Sequence, residues 1–147
     1  MSRRLREQQP QPEQGARMLF ISPGEQDHRT LREVFSHSPW EVWSARSCRE
    51  ALEFLRRAEV SVAVVGEDLP DGDWKMVLKG ISDLPSPPRL VVASRRADDR
   101  LWAEVLNLGG YDLLLTPFEA QEASRVCYQA WRGWRQKREV SAQAVAA

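Results

Sequence analysis

Residues 60–74 read V-S-V-A-V-V-G-E-D-L-P-D-G-D-W. The segment opens with a short apolar run, Val62 to Val65, dominated by β-branched side chains. A run without polar alternation suits a strand buried on both faces, as a parallel sheet requires. Gly66 ends the run, and an acidic loop punctuated by Pro70 and Gly72 follows. Asp73 then stands where an N-cap would open a helix at Trp74. Ligands of open α/β sheets gather at the carboxyl ends of the strands, so this corner is where chemistry is expected.

Working outward, the same alternation repeats. Met18 to Ile21 predicts a first strand, broken by Ser22-Pro23-Gly24, and Gln26 to Ser36 a helix with Leu31, Val34 and Phe35 on one face. Glu41 to Ala45 mixes polar and apolar residues, as an edge strand does. Ser47 and Glu50 have capping-box spacing ahead of a helix carrying Cys48, Ala51, Leu52 and Leu55 on one stripe. Past the central strand, Trp74, Val77, Leu78 and Ile81 share a helix face, and Pro85-Ser86-Pro87-Pro88 makes a stiff connector. Leu90 to Ala93 is a fourth strand. Asp98 and Asp99 sit at a helix start, and Gly109-Gly110 stops that helix. Asp112 to Leu115 is a fifth strand. Thr116, Pro117 and Glu119 then read as N-cap, N1 and N3 of a last helix with Ala123, Cys127, Ala130 and Trp134 facing inward. Five strands alternating with five helices predict an α/β, doubly wound, five-stranded parallel sheet with helices on both faces. Residues 1–15 are expected to be a disordered tail, 16–138 the domain, and 139–147 a flexible C-terminal tail.

Composition narrows the function classes. The chain of 147 residues carries 21 basic and 21 acidic side chains, so no global field attracts nucleic acid or an anionic membrane. No apolar stretch spans a bilayer, and the basic N-terminus lacks the apolar core of a secretory signal. Two cysteines on separate helices, Cys48 and Cys127, point to free buried thiols and a reducing, cytoplasmic setting. Arg95-Arg96 and the basic residues after Arg132 are read as solvated faces rather than a nucleic-acid footprint. Asp27-His28 near Ser22 is a weak hint of a nucleophile with a base, because sequence neighbours on a helix do not face each other.

The motifs M-L-F-I at 18–21, V-A-V-V-G-E-D-L-P-D-G-D at 62–73 and L-G-G-Y-D-L-L-L-T-P-F at 108–118 resemble the receiver domain of bacterial two-component response regulators. This is the CheY-like family, with a flavodoxin-like fold and strand order 2-1-3-4-5. The resemblance covers residues 17–138, and the Leu69-Pro70 and Pro117-Phe118 pairs carry most of its weight. It implies an acidic pair holding Mg²⁺, a phosphoryl-accepting Asp, a hydroxyl residue and a Lys. Here those positions fall on Ser22 and Pro23, on Gly66, on Ala93 and on Thr116, and an aromatic switch position falls on Leu113. Every one departs from the family pattern.

An acyl phosphate needs a carboxylate nucleophile, and Gly66 has no side chain. Mg²⁺ needs hard oxygen ligands that Pro23 does not offer. The expectation is therefore a pseudo-receiver: not an enzyme, without cofactor or metal, acting as a phosphorylation-independent interaction module. Its partner would be a histidine kinase, a regulator or a second copy. The resemblance places the partner surface on the fourth helix, fifth strand and fifth helix, around Trp102, Leu113, Trp131 and Arg135. Output would pass through that partner, since about ten residues follow the last helix. Two alternatives stand beside this one. The vacated corner could bind a small molecule among Ser22, Gly66, Ala93 and Thr116. Or Glu67 or Asp68, with Glu25 and Asp27 nearby, could form a shifted phospho-accepting or cation site.

Overall fold

A computed structural model describes residues 9–96 and 98–146. Five parallel strands form the sheet: β1 (Arg17–Ile21), β2 (Glu41–Ala45), β3 (Val62–Gly66), β6 (Arg89–Ser94) and β7 (Asp112–Leu115). Their spatial order is β2-β1-β3-β6-β7, which is the expected 2-1-3-4-5 order once a small hairpin is set aside. That hairpin, β4 (Asp68–Leu69) against β5 (Gly72–Asp73), lies in the acidic loop and was not foreseen. Five helices pack on the sheet: α1 (Glu25–Val34), α2 (Cys48–Arg57), α3 (Trp74–Ile81), α4 (Asp99–Asn107) and α5 (Ala120–Ala146).

The β-branched run dictates where the core sits. Val62 and Val64 point to one side of the sheet, with Met18, Phe20, Val91 and Leu114, and α1 and α5 cover them. Ala63 and Val65 point to the other side, with Leu19, Ile21, Leu90 and Val92, under α2, α3 and α4. A central strand buried on both faces leaves no polar position along it, which is why β3 reads as unbroken apolar sequence.

Helix boundaries follow their caps. The Asp73 carboxylate accepts from the backbone N–H groups of Lys75 and Met76, and the Asp98 carboxylate from Leu101 N–H. The Ser47 hydroxyl accepts from Glu50 N–H, while the Glu50 carboxylate reaches back to Arg46 N–H, one residue earlier than an ideal capping box. Gly109 ends α4 with φ of 103°, in the left-handed region that favours glycine.

Several boundaries differ from expectation. The last helix is capped by Glu119, whose carboxylate accepts from Gln121 and Glu122 N–H, and not by Thr116. The helix also does not end near residue 138 but continues to Ala146. Residues 135–146 hold neither glycine nor proline, so nothing in them breaks a helix. Its outer turns are tied down by ion pairs from Arg138 to Glu59 and from Arg135 to both Glu139 and Glu13. Glu13 belongs to the segment expected to be a disordered tail. Residues 9–15 are instead placed, with Pro12 buried and Ala16 N–H donating to the Glu13 carbonyl. Residues 1–8 and 147, also assigned to tails, lie outside the described residues.

Candidate functional site: the carboxyl-end corner

The carboxyl ends of β1, β3, β6 and β7 bring Ser22, Gly66, Ala93 and Thr116 together. Ser22 N–H donates to the Ala45 carbonyl, Glu67 N–H to the Ala93 carbonyl (3.2 Å), and Thr116 N–H to the Ser94 carbonyl (3.0 Å). Ser22 and Thr116 are buried, and Pro23 is exposed at the rim. Gly66 is not demanded by its backbone. A Cβ built there would lie 3.6 Å from the Ile21 carbonyl oxygen and 3.8 Å from the Ser22 hydroxyl, which is ordinary contact. The corner therefore has room for a Cβ that the sequence does not supply.

Beside Gly66 the corner is filled by Glu67, one of the two acids of the shifted-site alternative, with Arg96 reaching it from the loop after β6. The Glu67 carboxylate turns inward, its side chain only 18% exposed, and forms an ion pair with Arg96. Its other oxygen accepts from the Ser94 hydroxyl at 2.7 Å. Burial pushes the Glu67 carboxyl up, but the hydrogen bonds from Arg96 and Ser94 outweigh it and hold it below the usual carboxylate value. The hydroxyl of the corner thus comes from Ser94 and not from the Ala93 position. Ala93 packs into the α1/α5 core. The strand runs one residue further than expected, and the period-two alternation puts Ser94 on the opposite side from Ala93. That alternation, Leu90, Val92, Ser94, was readable in the sequence. The inward turn of Glu67 was not, because it depends on Arg96 arriving from another loop.

The remaining loop acids have structural work. The Asp71 carboxylate accepts from Cys48 and Arg49 N–H at the start of α2 (2.8 and 3.0 Å), and Asp73 caps α3. Asp68 is exposed. Glu25 pairs with Arg46. Among the described residues no group of three or more His, Cys, Asp or Glu side chains is placed to hold a metal ion. The donors that the corner offers do not fit a magnesium ion. Glu67 already neutralises a guanidinium, and Ser22 contributes a neutral hydroxyl engaged by Gly24 N–H.

His28 is buried, 2% exposed, against the Phe20 ring at 4.6 Å. Its Nε2 donates to the Ser22 carbonyl oxygen at 2.7 Å, not to the hydroxyl, so no nucleophile–base pair forms. Nδ1 has no partner. Burial, then the nearby Arg46 and Arg32, lower its pKa despite the opposing carbonyl bond.

The expected partner surface does not hold together as one patch. Trp131 is buried in the α1/α5 core at 8% exposure, beside Tyr128 and beneath the Arg135 guanidinium. Leu113 is half-buried on the opposite face, with Leu101 and Val105. Arg135 is engaged with Glu139 and Glu13. Trp102 is 48% exposed and lies one helical turn from exposed Leu106 on α4, and Leu115 on edge strand β7 is also exposed. Trp131 and Trp134 lie three residues apart, and a 3.6-residue period does not decide which is more deeply inserted. Trp134 is the less buried, with its indole over which Arg138 lies.

Solved structures share this architecture. A signal receiver domain of an HD domain-containing protein from Pseudomonas fluorescens Pf-5 is 25% identical, with a TM-score of 0.74, over 82% of this chain and 98% of that one. A receiver domain of a LuxO repressor protein from Vibrio parahaemolyticus is 18% identical, with a TM-score of 0.78, over 85% and 96%. The beryllofluoride-activated NtrC4 receiver domain dimer is 19% identical, with a TM-score of 0.73, over 80% and 98%. The sequence matches no protein-family model and no curated protein. The chain has the flavodoxin-like fold of response-regulator receiver domains. Among the described residues no helix is long and apolar enough to cross a membrane.

Proposed function

We propose that this chain is a signalling module of the receiver type that works without phosphorylation. The observation that carries the reading is the Glu67–Arg96–Ser94 arrangement beside a side-chain-free Gly66. Phosphoryl transfer to a receiver corner needs a free carboxylate nucleophile and uncommitted positive charge to stabilise the transferring oxygens. Here the inward carboxylate is held by Arg96, and Thr116 stands at the position where the resemblance calls for a Lys. Glu67 also gives the Ser94 hydroxyl, from within the chain, the anionic acceptor that an incoming oxyanion would otherwise provide. The test is intact-mass measurement after incubation with acetyl phosphate and Mg²⁺. No phosphate-sized gain is expected; a gain that maps to Glu67 or Asp68 would favour the shifted phospho-receiver, the one alternative that the inward carboxylate speaks for.

A module of this kind acts by docking a histidine kinase, a regulator or a second copy of itself. The surface best suited is the exposed apolar pair Trp102 and Leu106 on α4, together with exposed Leu115 on the edge strand β7. Trp102→Ala with Leu106→Ala should abolish self-association in analytical ultracentrifugation or weaken capture of a cognate kinase. Complexes of unchanged strength would move the docking site elsewhere.

A further inference from the structure

A groove of about 1110 Å³ opens at the end of the sheet opposite the Gly66 corner, where the chain enters β6. Its walls are apolar: Leu78 and Ile81 of α3, Pro85 and Pro88 of the connector, Leu108 at the end of α4, and Trp134 of α5. Ser141 and Ala142 extend one wall, so the groove owes part of its depth to the continuation of α5 past residue 138.

The charge around this groove is one-sided. Lys75, Lys79, Arg89, Lys137 and Arg138 border it, and among the described residues no aspartate or glutamate does. In a chain with 21 residues of each sign, that is a local segregation. Lys75 is paired with Glu104 and Arg138 with Glu59. Arg89 donates to the Gly133 carbonyl and lies over the Tyr111 ring. Lys79 and Lys137 have no acidic partner among the described residues, so their charge is available.

We propose that this groove binds a small amphipathic anion, an apolar body of drug size bearing one carboxylate, sulfonate or phosphate group. The volume is near the upper end of small-molecule sites, which run to roughly 1,000 Å³. Apolar walls with a few convergent polar groups are what such sites present. The hydrocarbon body lies against Leu78, Leu108 and the prolines. The anion meets Lys79 and Lys137, and the Trp134 indole forms part of the wall beside them. The proline-rich wall is already stiff, so little ordering opposes binding. The site is independent of the phosphorylation corner and of the docking reading above.

The full chain titrated with 1-anilinonaphthalene-8-sulfonate tests this, with fluorescence for affinity and two-dimensional NMR for location. Saturable one-site binding is expected, with a shift of the Trp134 indole resonance, identified by its loss in Trp134→Phe. The double variant Lys79→Gln, Lys137→Gln should bind the sulfonate about tenfold more weakly, the loss of two charge-assisted contacts. It should bind the neutral N-phenyl-1-naphthylamine as well as the parent does. Should the double variant melt early, Lys79→Gln alone should show about a threefold loss. Equal sulfonate affinity for parent and variant, binding that does not saturate, or shifts confined to residues outside the groove would overturn the proposal.

Discussion

Gly66 shows how a single missing side chain can be separated from the backbone that carries it. Because a Cβ fits there at ordinary contact distances, Gly66→Asp should fold with a melting temperature close to the parent's. It should also remain unphosphorylated by acetyl phosphate in an intact-mass assay, because Thr116, Ser22 and Pro23 still supply neither the ammonium nor the metal ligands. Phosphorylation of that variant would mean that the acceptor alone was lacking. His28 makes a different statement at the same scale. Its neutral form is the buried one, so its folded pKa lies below the ordinary 6.5. A depressed pKa contributes stability that is whole above the unfolded value and lost as pH falls toward the folded one. The melting temperature should therefore drop as pH falls below about 6.5. His28→Gln, which keeps a donor for the Ser22 carbonyl, should flatten that part of the profile; an equally steep profile would assign the acid sensitivity to other groups.

Elements are held by their ends, and α2 is the clearest case. Its start receives the Ser47 hydroxyl on Glu50 N–H and, from a distant loop, the Asp71 carboxylate on Cys48 and Arg49 N–H. Ser47→Ala should cost about 1 kcal/mol by urea denaturation. Asp71→Ala should also lower stability, and it should loosen the β4–β5 hairpin that Asp71 ties to α2, visible as faster amide exchange at Leu69 and Gly72. Much of this level was legible in the sequence. Strands β2 and β7 and the helix opened by Asp73 lie where residue types alone place them, because short segments bounded by Pro, Gly and Ser and cap residues are local signals. The short β4–β5 hairpin was not legible, since two-residue strands carry no periodicity. Glu119 displaced Thr116 as the cap of α5 because both residues precede the helix and only the path of the chain chooses between them. The length of α5 is compatible with its sequence, since residues 135–146 contain no helix breaker. Its outer turns have helix-forming composition, but their polarity resembles that of a tail until Glu59 and Glu13 are seen to be waiting for Arg138 and Arg135.

At the level of the whole molecule the sheet divides the interior into two cores, one under α1 and α5 and one under α2, α3 and α4. Cys127 is sealed in the first and Cys48 lies in the second, both free. Burial, followed by the Asp71 carboxylate, pushes the Cys48 thiol up to about 11, and burial alone raises Cys127. Trp74, almost fully enclosed, anchors the second core where the acidic loop becomes α3. Trp74→Ala should cost about 3–5 kcal/mol. It should also make Cys48 reactive toward iodoacetamide before Cys127, since the cavity opens on only one side of the sheet. Simultaneous labelling of both thiols would show the two cores to be a single cooperative unit. The division also explains why the candidate partner surface was only partly legible. Residues 102, 113, 131 and 135 fall near the same sheet edge in sequence logic, but the sheet sends Leu113 one way and Trp131 the other.

The bond from Glu67 to Arg96 has a consequence for how information could pass through such a domain. On the proposed function, a domain whose inward carboxylate is already engaged by its own neighbour has no off position for a donor to lift. What it reports is then its own abundance, or whatever competes for its surface. A control circuit built on it would be read by counting molecules rather than by asking which of them are charged.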